Sequence, residues 1–174
     1  IKMKVAIMQP YFLPYIGYFQ LLNLVDTFVI YDNIQFTKKG WINRNRFLLN
    51  GNDQLFSLPI KKDSDYLNVD QRFLAESFNT ETSKILRKIE NSYRKAPNFK
   101  EVYPLIERIF IYKEENLFKF ILNSVKEINN YLGITTELIV SSDIDIDHSL
   151  KSSDKVIAIC ENLKGTNYIN PIGG

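Results

Sequence analysis

The sequence predicts an α/β fold, with a Rossmann-like, largely parallel sheet that carries a β-hairpin and a three-helix insertion over about residues 79–132. Three observations lead there. Two short apolar runs, KVAIM at Lys4–Met8 and TFVIY at Thr27–Tyr31, flank a stretch of helical spacing, the pattern of strand, helix and parallel strand. The turn-forming Asn50-Gly51-Asn52-Asp53 separates two strand-like segments. Alternation of strand and helix resumes after Gly133. At 174 residues, 45% hydrophobic and 24% charged, the chain is sized and composed for one folded domain, residues 1–174.

Each element has its own reason. Lys4–Met8 reads KVAIM, a short apolar run closed by Gln9-Pro10, as expected of a strand buried on both faces. From Tyr15, the positions Tyr15, Tyr18, Phe19, Leu22 and Val25 recur at helical spacing, with Pro14 at the first helical position and Asp26 ending the helix. Thr27–Tyr31 is the second buried strand, joined to the first by a connection long enough for a right-handed crossover. Trp41–Leu49 and Gln54–Ile60 form the hairpin. Asn79 or Thr80 caps a helix through Ile85, Ile89 and Tyr93, and a second helix after Pro97 contains Pro104, which is expected to shift its start or kink it. The third helix, about Asn116 to Leu132, buries Phe118, Ile121, Leu122, Val125 and Ile128 and stops at Gly133. Glu137–Val140, Ser152–Leu163 and Asn167–Ile169 then read as strand, helix and strand.

Composition excludes several functions. Lys and Arg number 22 against 20 Asp and Glu, and a net charge of +2 gives no electrostatic reason for a DNA partner. Cys160 is alone and cannot form an internal disulfide. With no charged-then-apolar leader and no run of about 18 apolar residues, the expectation is a cytoplasmic protein without a membrane span.

Three segments carry residues suited to chemistry. The loop Gln9 to Tyr18 leaves the first strand and enters its helix, where ligands collect outside strand ends and free helix N–H groups attract anions. Gln9, Tyr11, Tyr15, Gly17 and Tyr18 are its candidate binding residues, Gly17 offering a close approach to a ligand or a neighbouring backbone. The second segment starts with Asp32-Asn33 and continues through Lys39, Trp41, Asn43, Arg44, Asn45 and Arg46. Amides, guanidinium forks and an indole plane together suit a sugar ring, a carboxylate or a phosphate. Strand alternation would turn only one pair, Asn43 and Asn45 or Arg44 and Arg46, toward a pocket, and a solvated hairpin face explains the same residues. The third segment, Lys151-Ser152-Ser153-Asp154-Lys155, opens the last helix, with Ser152 and Ser153 as phosphate ligands or plain caps. Two adjacent parallel strands send the first two segments from one sheet edge, so they are expected to converge on one pocket.

The candidate proton-transfer residues are Asp32 and His148, the sole histidine. Asp143, Asp145 and Asp147 lack the Gly and Glu of a calcium loop, so no metal is expected. Cys160 reads as a core thiol.

Taken together, KVAIMQPYFLPYIGYFQLL, VDTFVIYDNIQFTKKGWINRNRFL, SSDKVIAIC and NYINPIGG resemble the WbqC-like family of bacterial surface-polysaccharide gene clusters. The resemblance spans nearly the whole chain and is densest over residues 4–49. Members usually continue beyond the segment ending in Gly174, so a truncated C-terminus is expected. The resemblance implies an acyl- or aminoacyl-transferase, with glycine transfer proposed, acting on an amino sugar in O-antigen or other polysaccharide biosynthesis. Its implied ligands are a sugar nucleotide and an acyl donor, with a carrier protein or aminoacyl-tRNA as the candidate macromolecular partner. A more distant likeness places Tyr15-Ile16-Gly17-Tyr18 where HIGH-type nucleotidylyltransferases carry His-x-Gly-His. That suggests a ligase that activates a carboxylate with a nucleotide, although a phenol does not supply the charge of an imidazolium near neutrality. A third reading is a protein that binds a carrier or sugar nucleotide without turnover.

Overall fold

The computed structural model describes residues 2–171, so Ile172, Gly173 and Gly174 of the NYINPIGG segment lie outside the described residues. The chain divides into two compact units, Ile1–Pro10, Pro14–Ile34 and Asn129–Gly174 in the first and Tyr11–Leu13 and Gln35–Ile128 in the second. The sequence predicts one domain with a hairpin and a helical insertion. The structure groups that hairpin and that insertion in a unit of their own.

The first unit holds an all-parallel four-stranded sheet. Its strands are β1 (Lys4–Met8), β2 (Thr27–Ile30), β5 (Glu137–Val140) and β6 (Asn167–Tyr168), in the spatial order β5-β2-β1-β6. That is the 3-2-1-4 order of a Rossmann-like half sheet. Pairing sets Val5 beside Thr27 and Ile7 beside Val29, so alternate residues line opposite faces. One face carries Val5, Ile7 and Val29, packed with Ile144 and with Ile159 of helix α5 (Ser152–Asn162). On the other, Phe28 meets Tyr18 of helix α1 (Ile16–Leu24), with ring centroids 5.1 Å apart. Coverage on both sides explains why β1 and β2 read as continuous apolar runs.

Helix α1 starts one residue later than its spacing suggests. Tyr15 holds extended backbone at the N-cap, so Pro14 precedes the helix and the Tyr15 ring leaves the buried stripe, 56% exposed. It lies instead over Gly17, where a Cβ would come within 2.4 Å of Tyr15 Cε2. The space that the sequence reserves for a ligand or a neighbouring backbone is thus filled by the chain's own ring.

The second unit is built on an antiparallel hairpin, β3 (Arg44–Leu49) and β4 (Asn52–Ser57), with Leu49 opposite Asn52. The turn is Asn50 at φ 53° and Gly51 at φ 80°, a two-residue loop with both angles positive, which Asn-Gly accommodates better than other pairs. Both strands are shorter than expected. Trp41, Ile42 and Asn43 precede β3, and β4 ends before Pro59, which has no N–H for a ladder. Helices α2 (Phe78–Tyr93), α3 (Phe99–Phe110) and α4 (Leu117–Leu132) follow, with α4 supplying residues to both units. Helix α2 begins after Ser77, ahead of the expected caps Asn79 and Thr80, and Pro104 sits inside α3. Phe12 is fully buried, with Phe110, Phe120 and Phe56 centred 5.3, 5.7 and 6.4 Å away. The Tyr93 hydroxyl accepts from Leu48 N–H at 2.8 Å, fastening α2 to the hairpin.

Candidate functional site

In a parallel sheet every strand ends at the same edge, and here the segments leaving β2 and β5 meet there. Asp32, two residues beyond β2, is buried, and its carboxylate accepts from the backbone N–H of Ser142 at 3.0 Å and from the Ser142 hydroxyl. Both oxygens are thereby occupied in pinning the turn Ser141–Asp143 that follows β5. Asn33 donates its amide to His148 Nδ1 at 3.0 Å, and the other ring nitrogen, Nε2, lies 2.9 Å from the Ile144 carbonyl. A carbonyl only accepts, so Nε2 carries the proton and Nδ1 is the basic nitrogen. Beside His148, Asp147 is held below the ordinary carboxylate range, first by the Ser149 hydroxyl and then by Ser149 N–H.

Lys155, to which the sequence assigns no role of its own within the segment that opens α5, completes this group. It is buried in the second turn of α5, with Nζ 3.4 Å from Asn33 Oδ1 and 5.4 Å from the Tyr31 ring centre. None of the ion pairs among the described residues involves it. A buried ammonium facing an amide and an aromatic face, with no carboxylate, is a favourable place for an anion. The only signal in the sequence was its place in Lys151-Ser152-Ser153-Asp154-Lys155, where a lysine reads as solvated. Ser152 and Ser153 are exposed at the start of α5, whose N-cap, Lys151, makes no side-chain cap bond. Burial pushes the Tyr31 phenol up, with Tyr168 and Cys160 adding to it, and burial alone pushes up the Cys160 thiol, which packs on the core.

The strand-to-helix loop behaves differently. Gln9 is exposed just after β1, and its carbonyl accepts from the hydroxyl of Tyr18 at 3.1 Å. Tyr18 is fully buried, so its ring serves the core and its hydroxyl secures the loop. Tyr11 belongs to the second unit.

In that second unit, the residues from Lys39 to Arg46 have distinct tasks. The Arg44 guanidinium donates to the carbonyls of Gly40, at 2.8 Å, and Lys39. Arg44 and Arg46 lie 5.8 and 5.2 Å from the Trp41 ring centre, and Arg46 also pairs with Asp53 at 3.1 Å. Asn45 donates to the carbonyls of Phe12, at 3.0 Å, and Leu13. A cavity of about 580 Å³ takes both Asn43 and Arg44 into its lining. That cavity takes one residue from each of the two pairs. Asn43 precedes the strand, so nothing forces it and Arg44 onto opposite faces.

Among the described residues, no three His, Cys, Asp or Glu side chains gather to hold a metal ion, and no helix is long and apolar enough to cross a membrane. No solved structure matches the chain. The uncharacterized protein Rv1507c of Mycobacterium tuberculosis (strain ATCC 25618 / H37Rv) is 30% identical over 170 residues, covering 96% of this chain and 71% of that protein. Residues 9–174 match the WbqC-like protein family, taking in the strand-end loop, the hairpin and the α5 segment alike. The chain belongs to the WbqC-like protein family.

Proposed function

We propose that the chain transfers an acyl or aminoacyl group, glycine among the candidates, to the amine of an amino sugar used in surface-polysaccharide biosynthesis. The observation that carries this reading is the Lys155–Asn33–His148 chain at the carboxyl edge of the sheet. In such a transfer the sugar nitrogen bonds to the acyl carbon, the bond from that carbon to the donor breaks, and the nitrogen loses a proton. His148 Nδ1 is the acceptor for that proton once the amine replaces the Asn33 amide, because Nε2–H is held by Ile144. The proton then passes to the departing donor group. Lys155 stabilises negative charge on the acyl oxygen or on a donor phosphate. Asp32 acts as a positioning residue by fixing Ser142 and the loop that leads to His148. Family membership supports the sugar context.

The test incubates the protein with glycyl donors of three kinds (aminoacyl-tRNA, carrier thioester and acyl phosphate) and a panel of amino-sugar nucleotides, with products read by mass spectrometry. An amide product that falls about 10²-fold or more in His148→Gln supports the proposal. A product that forms equally well with His148→Gln removes the histidine from the mechanism. The second reading, binding without turnover, is favoured by Asp32 and both His148 nitrogens being engaged already. Saturable binding with no product across the panel selects it.

A further inference from the structure

The 580 Å³ cavity of the second unit lies within the usual range for small-molecule sites, about 300–1,000 Å³. Its charges do not cancel. Lys38 is neutralised by Asp65 at 2.6 Å, which leaves Arg44, Lys61, Lys62 and Arg72 against Asp63 alone. None of the ion pairs among the described residues involves Lys61 or Lys62.

Two lining residues add a second kind of evidence. Arg72 is 3% exposed, lies 5.0 Å from the Phe36 ring centre and donates to the carbonyls of Ser64 and Lys61, yet its Nε has no partner. Asn43 is 6% exposed and donates its amide to Leu58, yet its Oδ1 has none. A buried donor or acceptor left without a partner is costly, so two among the residues that line one cavity favour a ligand that completes them. Solvent reaches neither atom in the free chain. Both residues line the cavity, and Arg72 ties the exposed strap 61–66 to it through those two carbonyls.

We propose that this cavity binds a phosphorylated, hydroxyl-bearing small molecule of sugar size. The phosphate meets Lys61 and Lys62 at the rim, and a hydroxyl or amine hydrogen of the ring is donated to Asn43 Oδ1. Tyr66, 85% exposed on the rim, offers a flat face to the ring. The site needs no transfer chemistry, so it stands whether or not the reaction proposed above occurs.

The test is titration calorimetry with three probes, glucosamine 6-phosphate, glucosamine and inorganic phosphate, against the full chain and the variant Lys61→Ala/Lys62→Ala. Both lysines are exposed, so the variant should fold as the parent does. Glucosamine 6-phosphate should bind more tightly than either fragment. Its affinity should fall at least tenfold in the variant and weaken as salt is raised. Failure of glucosamine 6-phosphate to bind, or equal binding by both proteins, overturns the site. Phosphate alone binding as well as the sugar phosphate overturns the role of Asn43. For that role, Asn43→Ala should weaken glucosamine 6-phosphate and leave inorganic phosphate unchanged, and any other pattern rejects it.

Discussion

In the parallel-sheet unit, the polar groups at the strand ends are consumed by one another, with Asp32 on Ser142, Asn33 on His148 and Lys155 on Asn33. In the hairpin unit, Asn43 and Arg72 each keep a buried polar atom without a partner in the wall of a cavity with surplus positive charge. The first arrangement fixes side chains in place before any substrate arrives. The second leaves interactions for a ligand to complete. Pre-organisation is the requirement of a chemical step and unmet hydrogen bonding that of a binding step, which is why the transfer and the ligand site are proposed above for different units. Two atoms break the pattern, because Asn129 Oδ1 and Ser141 Oγ in the first unit are buried with no hydrogen-bond partner.

The largest expected effect tests what holds the hairpin unit together. Phe12→Ala empties the centre of the Phe56, Phe110 and Phe120 cluster and should destabilise the chain by about 3–5 kcal/mol in urea unfolding. A loss below about 1 kcal/mol would mean that the helices and not the aromatic centre sustain that unit.

Next come two adjacent serines that separate paired from unpaired polarity. Ser142→Ala removes a hydrogen bond to a buried carboxylate and should cost about 1.5–3 kcal/mol. Ser141→Ala deletes a hydroxyl that bonds to nothing and should be neutral or stabilising, within about 0.5 kcal/mol. Equal losses from the two would erase the distinction on which the comparison rests.

Gly51→Ala places a Cβ at φ 80° in the hairpin turn, where the space is open but the backbone is unfavourable, and should cost about 1–2 kcal/mol. The change should leave hydrogen-exchange protection of the parallel sheet intact and lower that of β3 and β4. Uniform loss of protection would show that the units open together.

The smallest effect is alkaline. Tyr31, Tyr168 and Cys160, all in the first unit, hold their protons more tightly than usual because burial disfavours their anions. The unfolded chain releases those protons first, so the stability they contribute is present below the ordinary values of 9.0 for the thiol and 10.0 for the phenols and is lost as pH rises through the raised ones. In the second unit Tyr103 is raised, by burial first and then by Glu90 and Glu107. The melting temperature should therefore decline as pH passes these values, with the parallel sheet losing exchange protection first. A flat profile through pH 10.0 would contradict it.

Much of this architecture was legible in the residues. KVAIM and TFVI are short, mostly apolar runs because helices cover both sheet faces, and Gly133 at φ 68° ends α4 where its apolar stripe stops. Element ends were harder. Trp41–Asn43 look like strand by composition, yet Asn43 is fixed by donating its side-chain amide to the Leu58 carbonyl, a hydrogen bond that no local pattern encodes. Asp32 and His148 were visible as an acid at a strand end and a lone imidazole. Lys155 and Arg72 were not, because a lysine in a serine-rich helix start and an arginine after a polar loop look solvated until Tyr31 and Phe36 are seen to cover them.

The strand register has a kinetic consequence. β1 and β2 pair residues 22 positions apart, whereas Thr27 of β2 reaches Glu137 of β5 across 110. Closing the longer loop costs about 1.4 kcal/mol more in chain entropy, by the logarithmic dependence on loop length. Local contacts form fastest, so the β1–α1–β2 segment is set to assemble early and β5 to join late. The bonds from Ser142 to Asp32 and from His148 to Asn33 span 110 and 115 residues, so they form only after β5 has docked. A nascent or partly folded chain therefore carries Asp32 and Asn33 without their partners, and the strand-end cluster comes into being only once the distant C-terminal part of the sheet has joined.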